Sequence, residues 1–164
     1  MVDKNIRARS EWYQPIGEFF VACADLEFSL LSWIRSLSHS TAIANMANNQ
    51  SFAKNVSLVL DLVTESYASP QQKEKWRSLW VQAKAIFRHR NTIAHNGPIE
   101  NFEFEPAYIK QWEVIRLNKP IGRVGDGLSI EDLREQIAKA SELYDQLDEC
   151  EDEIIVHFRN KEKE

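Results

Sequence analysis

The sequence predicts an all-α protein, an up-and-down bundle of the four-helix type, and three observations carry that expectation. Apolar residues recur at three- and four-residue steps along most of the chain, the period of an amphipathic helix. Five glycines and five prolines in 164 residues are too few turn residues for a sandwich or barrel of many short strands. At 43% hydrophobic content, a chain of this length buries a single core without disulfide or metal staples. Charged residues make up 27% and lie among the apolar ones, which excludes a disordered or low-complexity chain.

Pro15-Ile16-Gly17 opens the first helix, in which Ile16, Phe20, Cys23, Leu30, Leu31 and Ile34 follow the helical step to about Leu37. Residues 39–50, with Asn45, Asn48, Asn49 and Gln50 among small residues, read as a loop or a short helix. Phe52, Val56, Val59, Leu60 and Val63 then form the second helix. Ser69-Pro70 supplies an N-cap followed by proline at the first helical position, and Trp76, Leu79, Trp80, Ala83, Phe87 and Ala94 carry the third helix to a stop at Gly97-Pro98. Between 98 and 128 the pattern turns to alternation, in Asn101-Phe102-Glu103-Phe104 and Glu113 to Leu117, which fits a small hairpin or irregular insert. Ser129-Ile130-Glu131-Asp132 resembles a capping box. Leu133, Ile137, Ala140, Tyr144, Leu147 and Ile154 continue the last helix, with Glu151 its one interruption and residues 159–164 a flexible tail. The chain contains no internal repeat and no interdomain linker, so residues 1–164 read as one domain.

Met1 to Asn5 carry no apolar signal core, and no stretch approaches the roughly 20 apolar residues that cross a bilayer. The expectation is a cytoplasmic protein without a membrane partner. Cys23 and Cys150 alone read as reduced thiols rather than a bridge or a zinc site. No Gly-rich phosphate loop, Ser-His-Asp order or metal-spaced histidine pair is present, so no metal and no cofactor are expected.

Two charges stand in unexpected places. At about 100° per residue, Arg90 falls among Leu79, Ala83, Ile86, Phe87, Ile93 and Ala94, and Glu27 among Ile16, Phe20, Cys23, Ala24, Leu31 and Ile34. A buried ion without a partner costs several kcal/mol, so the economical expectation is an interior, hydrogen-bonded Glu27–Arg90 pair that holds Arg90 for use. The competing expectation is a wider apolar stripe, with each charge reaching its edge. Beside Arg90, Asn91 and His95 project on one side of the third helix, and Arg88 and Lys84 fall on that side too. Trp76 and Trp80 read as core, Trp12, Trp33 and Trp112 less distinctly so. His39 reads as a partner of the first helix's C-terminal dipole, His157 as a surface residue, and His89 as either an exposed neighbour or a substrate contact.

Arg90-Asn91-Thr92-Ile93-Ala94-His95 followed by Asn96-Gly97 resembles the motif of the HEPN superfamily of helical proteins, an arginine, a polar residue, and a histidine after four intervening positions. Arg88-His89 with His95 fits the longer spacing that the family allows, and Arg90 is preferred because of its expected carboxylate. The resemblance implies an up-and-down helical bundle, a homodimer that brings two motifs together, and metal-independent endoribonuclease activity in toxin–antitoxin or phage-defence roles. It implies Arg90, Asn91 and His95 as catalytic residues, with Glu27 supporting Arg90 and Lys84, Arg88 and His89 binding substrate. Members that have lost the motif act as binding modules. A subset paired with nucleotidyltransferase antitoxins carries a tyrosine two residues after the histidine, where this chain has Gly97, so that antitoxin is not expected; another antitoxin or regulatory protein remains compatible.

The chemistry suits the residues. Metal-independent RNA cleavage requires removal of the 2′-hydroxyl proton, stabilisation of a phosphorane-like transition state and protonation of the departing 5′-oxygen. Histidine has a pKa near working pH for the proton steps, and the arginine fork donates paired hydrogen bonds to phosphate. One histidine cannot readily be base and acid in a single turnover, so two copies would supply both. The readings from other classes are a catalytically silent module that binds RNA, a nucleotide or a protein, and a helical adaptor whose last helix supplies an interface. The formal net charge of −5 does not exclude RNA: residues 70–97 hold six bases against one acid, and residues 129–164 hold twelve acids against five bases.

Overall fold

In the computed structural model, backbone is described for residues 4–95 and 128–161, and side-chain surroundings for 11–95 and 128–155. Five helices account for the described fold: α1 (Lys4–Ser38), α2 (Thr41–Ala47), α3 (Phe52–Glu65), α4 (Pro70–His95) and α5 (Ile130–Lys161). No strand occurs among the described residues. The expected insert, the Gly97-Pro98 stop, Trp112 and the side chain of His157 lie outside them.

α1 is longer than its sequence pattern suggests, because Pro15 stands inside it rather than at its start. Proline there removes one intrahelical hydrogen bond and crowds the preceding turn, at a cost of about 3 kcal/mol. Burial on both sides of it offsets that cost: Trp12, Pro15 and Phe19 all face the core. α1 ends at Ser38, and His39 turns the chain with φ 50°, the left-handed conformation that terminates many helices. His39 therefore acts through its backbone as the terminator of α1.

The ambiguous stretch after it contains α2, capped where Ile43 N–H donates to Ser40 Oγ at 3.4 Å. At its other end the Ala47 carbonyl accepts from the Gln50 N–H at 3.0 Å and from Nδ2 of the buried Asn55 side chain at 2.9 Å, which ties α2 to α3. Ser69 and Gln72 form a reciprocal cap on α4: Gln72 N–H donates to Ser69 Oγ (3.3 Å) and Ser69 N–H to Gln72 Oε1 (3.0 Å). Ser129 and Asp132 do the same for α5, at 3.0 and 2.9 Å. The Asp132 carboxyl, accepting from both the backbone and the hydroxyl of Ser129, is held below its ordinary pKa. α5 continues in helical form through Lys161, so residues 159–161 belong to the helix rather than to a tail.

Side-chain pairs fix the directions. Trp33 of α1 meets the edges of Trp76 and Trp80 of α4, with centroids 5.5 and 5.4 Å apart, whereas Phe20 meets Arg90. Phe52 at the start of α3 stacks on Phe87 at 3.4 Å, and Thr64 near its end accepts from Lys73 and Arg77. Lys75 pairs with Glu153 at 3.3 Å whereas His89 lies near Asp132 and Lys139, and Trp33 Nε1 donates to the Leu147 carbonyl at 3.2 Å. Hence α1, α3 and α5 run one way and α4 the other. Because α1 ends level with the start of α4 and α3 begins level with its second half, α2 is the short return between parallel α1 and α3.

α1 packs against all four other helices and forms the centre of the bundle. Its buried face includes Trp12, Phe19, Leu26, Leu30 and Trp33, while Phe20 and Leu31 are only half-buried. The interrupting Glu151 of α5 turns toward α1, where Ser32 Oγ and Ser36 Oγ both donate to its Oε1, the latter at 3.2 Å. Cys23 and Cys150 are buried free thiols. No described helix is long and apolar enough to cross a membrane.

Candidate functional site

The C-terminal half of α4 separates two faces. Leu79, Trp80, Ala83, Ile86, Phe87 and Ile93 are buried. Lys84, Arg88, Asn91 and His95, spaced by four, three and four residues, lie within about 60° of one another on the outside of the helix. All four are exposed, and they run for about 16 Å along the helix at 1.5 Å per residue. The sequence expectation that these residues share a side is thus met by the structure.

Arg90 belongs to the other face. It is half-buried, its guanidinium lies 5.3 Å from the centroid of the Phe20 ring, and its Nη1 donates to Asn91 Oδ1 at 3.3 Å. A cation over an aromatic face contributes about 0.5–2 kcal/mol, depending on how dry the site is. Arg90 is therefore linked to the outer strip through one neighbour, Asn91.

The expected hydrogen-bonded Glu27–Arg90 pair does not form: among the described residues no ion pair within 4.0 Å joins them. The apolar pattern of the sequence centres the inward face of α1 on Glu27, whereas the packed face is centred about 80° away, on Phe19, Leu26 and Leu30. A helix packed on several sides has a wide buried arc, and Glu27 lies at its edge. Both charges are nevertheless felt at Cys23. Burial pushes the Cys23 thiol up to about 12, Arg90 opposes that rise and Glu27 adds to it.

A cavity of about 400 Å³ opens between the two charges. Lys84, Arg88, Arg90 and Asn91 line it from α4, Glu27 from α1, and residues 50–53 from the start of α3. Among the described residues of its wall Glu27 is the one carboxylate beside three cations, so this part of the wall carries a net positive charge. The stacked Phe52 and Phe87 form its apolar part. Sequence reasoning missed Gln50, Ser51 and Phe52 as part of this wall. The cluster of polar residues before Phe52 was the available signal, but only the return through α2 brings it beside α4.

His89 does not join the strip. It projects about 140° from Lys84, is half-buried, and faces α5 near Lys139 and Asp132. Burial first, then the Lys139 charge, hold its pKa below the ordinary value, while Asp132 pulls the other way. His95 is exposed on the strip, beyond the residues that line the cavity. Trp12, Trp33, Trp76 and Trp80 are all buried in the core, so none of them offers a stacking platform. Among the described residues no group of three His, Cys, Asp or Glu side chains could hold a metal ion.

The arrangement can bind an anion along the strip and in the cavity, with His95 at the end of the strip. No protein-family model, no curated protein and no solved structure matches the chain.

Proposed function

We propose that the protein is a metal-independent endoribonuclease of the HEPN type, working as a homodimer in a toxin or phage-defence setting. The observation that carries this reading is the alignment of Lys84, Arg88, Asn91 and His95 on one exposed face of α4, in a segment whose sequence resembles the family motif. Arg88 and Lys84 hold the phosphate backbone, and guanidinium suits the phosphorane oxygens because its fork donates two parallel hydrogen bonds and stays charged. Asn91, tied to Arg90, orients the scissile phosphate. His95 of one copy takes the 2′-hydroxyl proton and His95 of the other protonates the leaving 5′-oxygen, giving a 2′,3′-cyclic phosphate. Dependence on the 2′-hydroxyl separates RNA from DNA.

The test is cleavage of a mixed RNA pool by the full chain in excess EDTA, with wild type and His95→Ala compared. Loss of a general acid–base group lowers the rate by about 10²–10⁴-fold, with DNA left intact by both proteins. Equal RNA cleavage by the two proteins, or none by wild type, overturns the reading.

A second reading, a silent module that binds an anionic ligand such as a nucleotide, is favoured by one observation. The basic cavity is of nucleotide size and His95 is outside its lining. Saturable nucleotide binding that is lost in Arg88→Ala, without RNA cleavage, would select it.

A further inference from the structure

Among the described residues, the outer face of the middle of α1 is apolar and uncovered. Tyr13, Val21 and Phe28 are 64%, 63% and 70% exposed, and Gly17, Phe20 and Ala24 complete a stripe within an arc of about 100°. Two further facts bear on what covers it. A Cβ built on Gly17 meets nothing within 4 Å, so the fold itself has no need of glycine at a helical position where it is disfavoured. The order of residues also reads the same from either end. Aromatic Tyr13 and Phe28 stand at the limits, small Gly17 and Ala24 lie inside them, and Phe20 and Val21 straddle the midpoint.

That symmetry is what an isologous contact requires, since in a two-fold dimer residue i meets residue j and j meets i. From it, the geometry points to a second copy of this chain as the occupant, with the two α1 helices antiparallel about an axis between Phe20 and Val21. Tyr13 then faces Phe28 of the other copy, Gly17 faces Ala24, and the small pair lets the backbones approach closely. With aromatic side chains each offering about 150–250 Å², the exposed stripe amounts to on the order of 500 Å² per copy. Doubling it reaches the roughly 1,000 Å² that a specific interface must clear, the size of a weak, concentration-dependent dimer.

A two-fold axis perpendicular to antiparallel helices keeps like edges side by side. The Glu27 edge of each α1 therefore adjoins the same edge of the other, and both basic strips open on one side of the dimer. The interface rests on the homodimer of the ribonuclease reading and names the surface that forms it. A dimer held by this stripe that cuts no RNA removes that activity and keeps the interface, whereas an RNA-cutting dimer indifferent to Phe28→Asp and unlinked through Val21→Cys removes the interface and keeps the activity.

Sedimentation of the full chain from about 1 μM to several hundred μM tests the interface, together with two variants of exposed residues. Wild type is expected to dimerise with concentration, and Phe28→Asp to raise the dissociation constant at least tenfold while keeping its helical circular dichroism. Val21→Cys, close to the axis, is expected to give a disulfide-linked dimer on mild oxidation with copper–phenanthroline. A control cysteine at the exposed Ser57 of α3 gives none, and Cys23 and Cys150, at 2% and 0% exposure, stay unreacted. Wild type that remains monomeric throughout, a dimer indifferent to Phe28→Asp, or a dimer in which Val21→Cys fails to link overturns the inference.

Discussion

Glu151 of α5 and Arg90 of α4 stand in matching positions, each a charge set among the apolar residues of a long helix, and the fold receives them differently. Glu151 accepts from two hydroxyls on successive turns of α1, so its charge is tied into the main helix interface. Arg90 has the face of one ring and the amide of its own neighbour, beside a cavity. The first charge is consumed in holding the bundle together. The second is held in place with no ion-pair partner among the described residues, which leaves it and the adjacent strip able to act on an anion.

The largest expected effect separates the two in function. Arg88→Ala should weaken RNA binding, and Arg90→Met should lower the cleavage rate by about 10–100-fold through a loosened Asn91, the lower end of what positioned groups supply. Steady-state kinetics would show the first mainly in KM and the second mainly in kcat. An Arg90→Met protein with full activity would mean that the inward arginine has no part in the site.

Stability should rank them the other way. Glu151→Ala removes both charge-assisted bonds and strands the Ser32 and Ser36 hydroxyls, so urea unfolding should show a loss of about 1–3 kcal/mol. Glu27→Gln, at an edge and without an ion-pair partner among the described residues, should change stability by less than about 0.5 kcal/mol. An equal loss from both would erase the distinction between a tied charge and a free one.

The smallest effect is a pH dependence. His89 has its folded-state pKa lowered, so the unfolded chain takes up the proton first as pH falls below 6.5. Stability should drop there and level off once the folded-state histidine also protonates. His89→Gln should remove the drop, as read by urea midpoints between pH 8 and 5. The contribution of Asp132, whose folded pKa is depressed, is present above 3.8 and lost as pH falls through the folded value, so it lies in a separate, more acidic window.

Much of the fold was legible because it is local. The Ser69-Pro70 and Ser129 to Asp132 caps need only residues within one turn, and the period of Leu133 to Ile154 needs only the helix that carries it. The strip of Lys84, Arg88, Asn91 and His95 was legible for the same reason, since four positions on one helix share a face whatever packs behind them. Pro15 was misread because burial of Trp12 and Phe19 on either side of it outweighs its own preference for a helix start. Glu27 was misread because Phe20 and Leu31 resemble core residues in sequence, although only packing on several sides of α1 shows where the core face is centred.

The sequence by itself determined the four long helices apart from the start of α1, the caps of α4 and α5, the segregation of basic α4 from acidic α5, and the row of candidate residues along α4. These follow from backbone periodicity and near-neighbour chemistry. Only the tertiary structure decided that Glu151 is received by Ser32 and Ser36, that Arg90 turns to Phe20 rather than to Glu27, and that the start of α3 walls the basic cavity. Each of those depends on which helix faces which, and burial area together with the reversal through α2 sets that beyond the reach of any single helix's pattern.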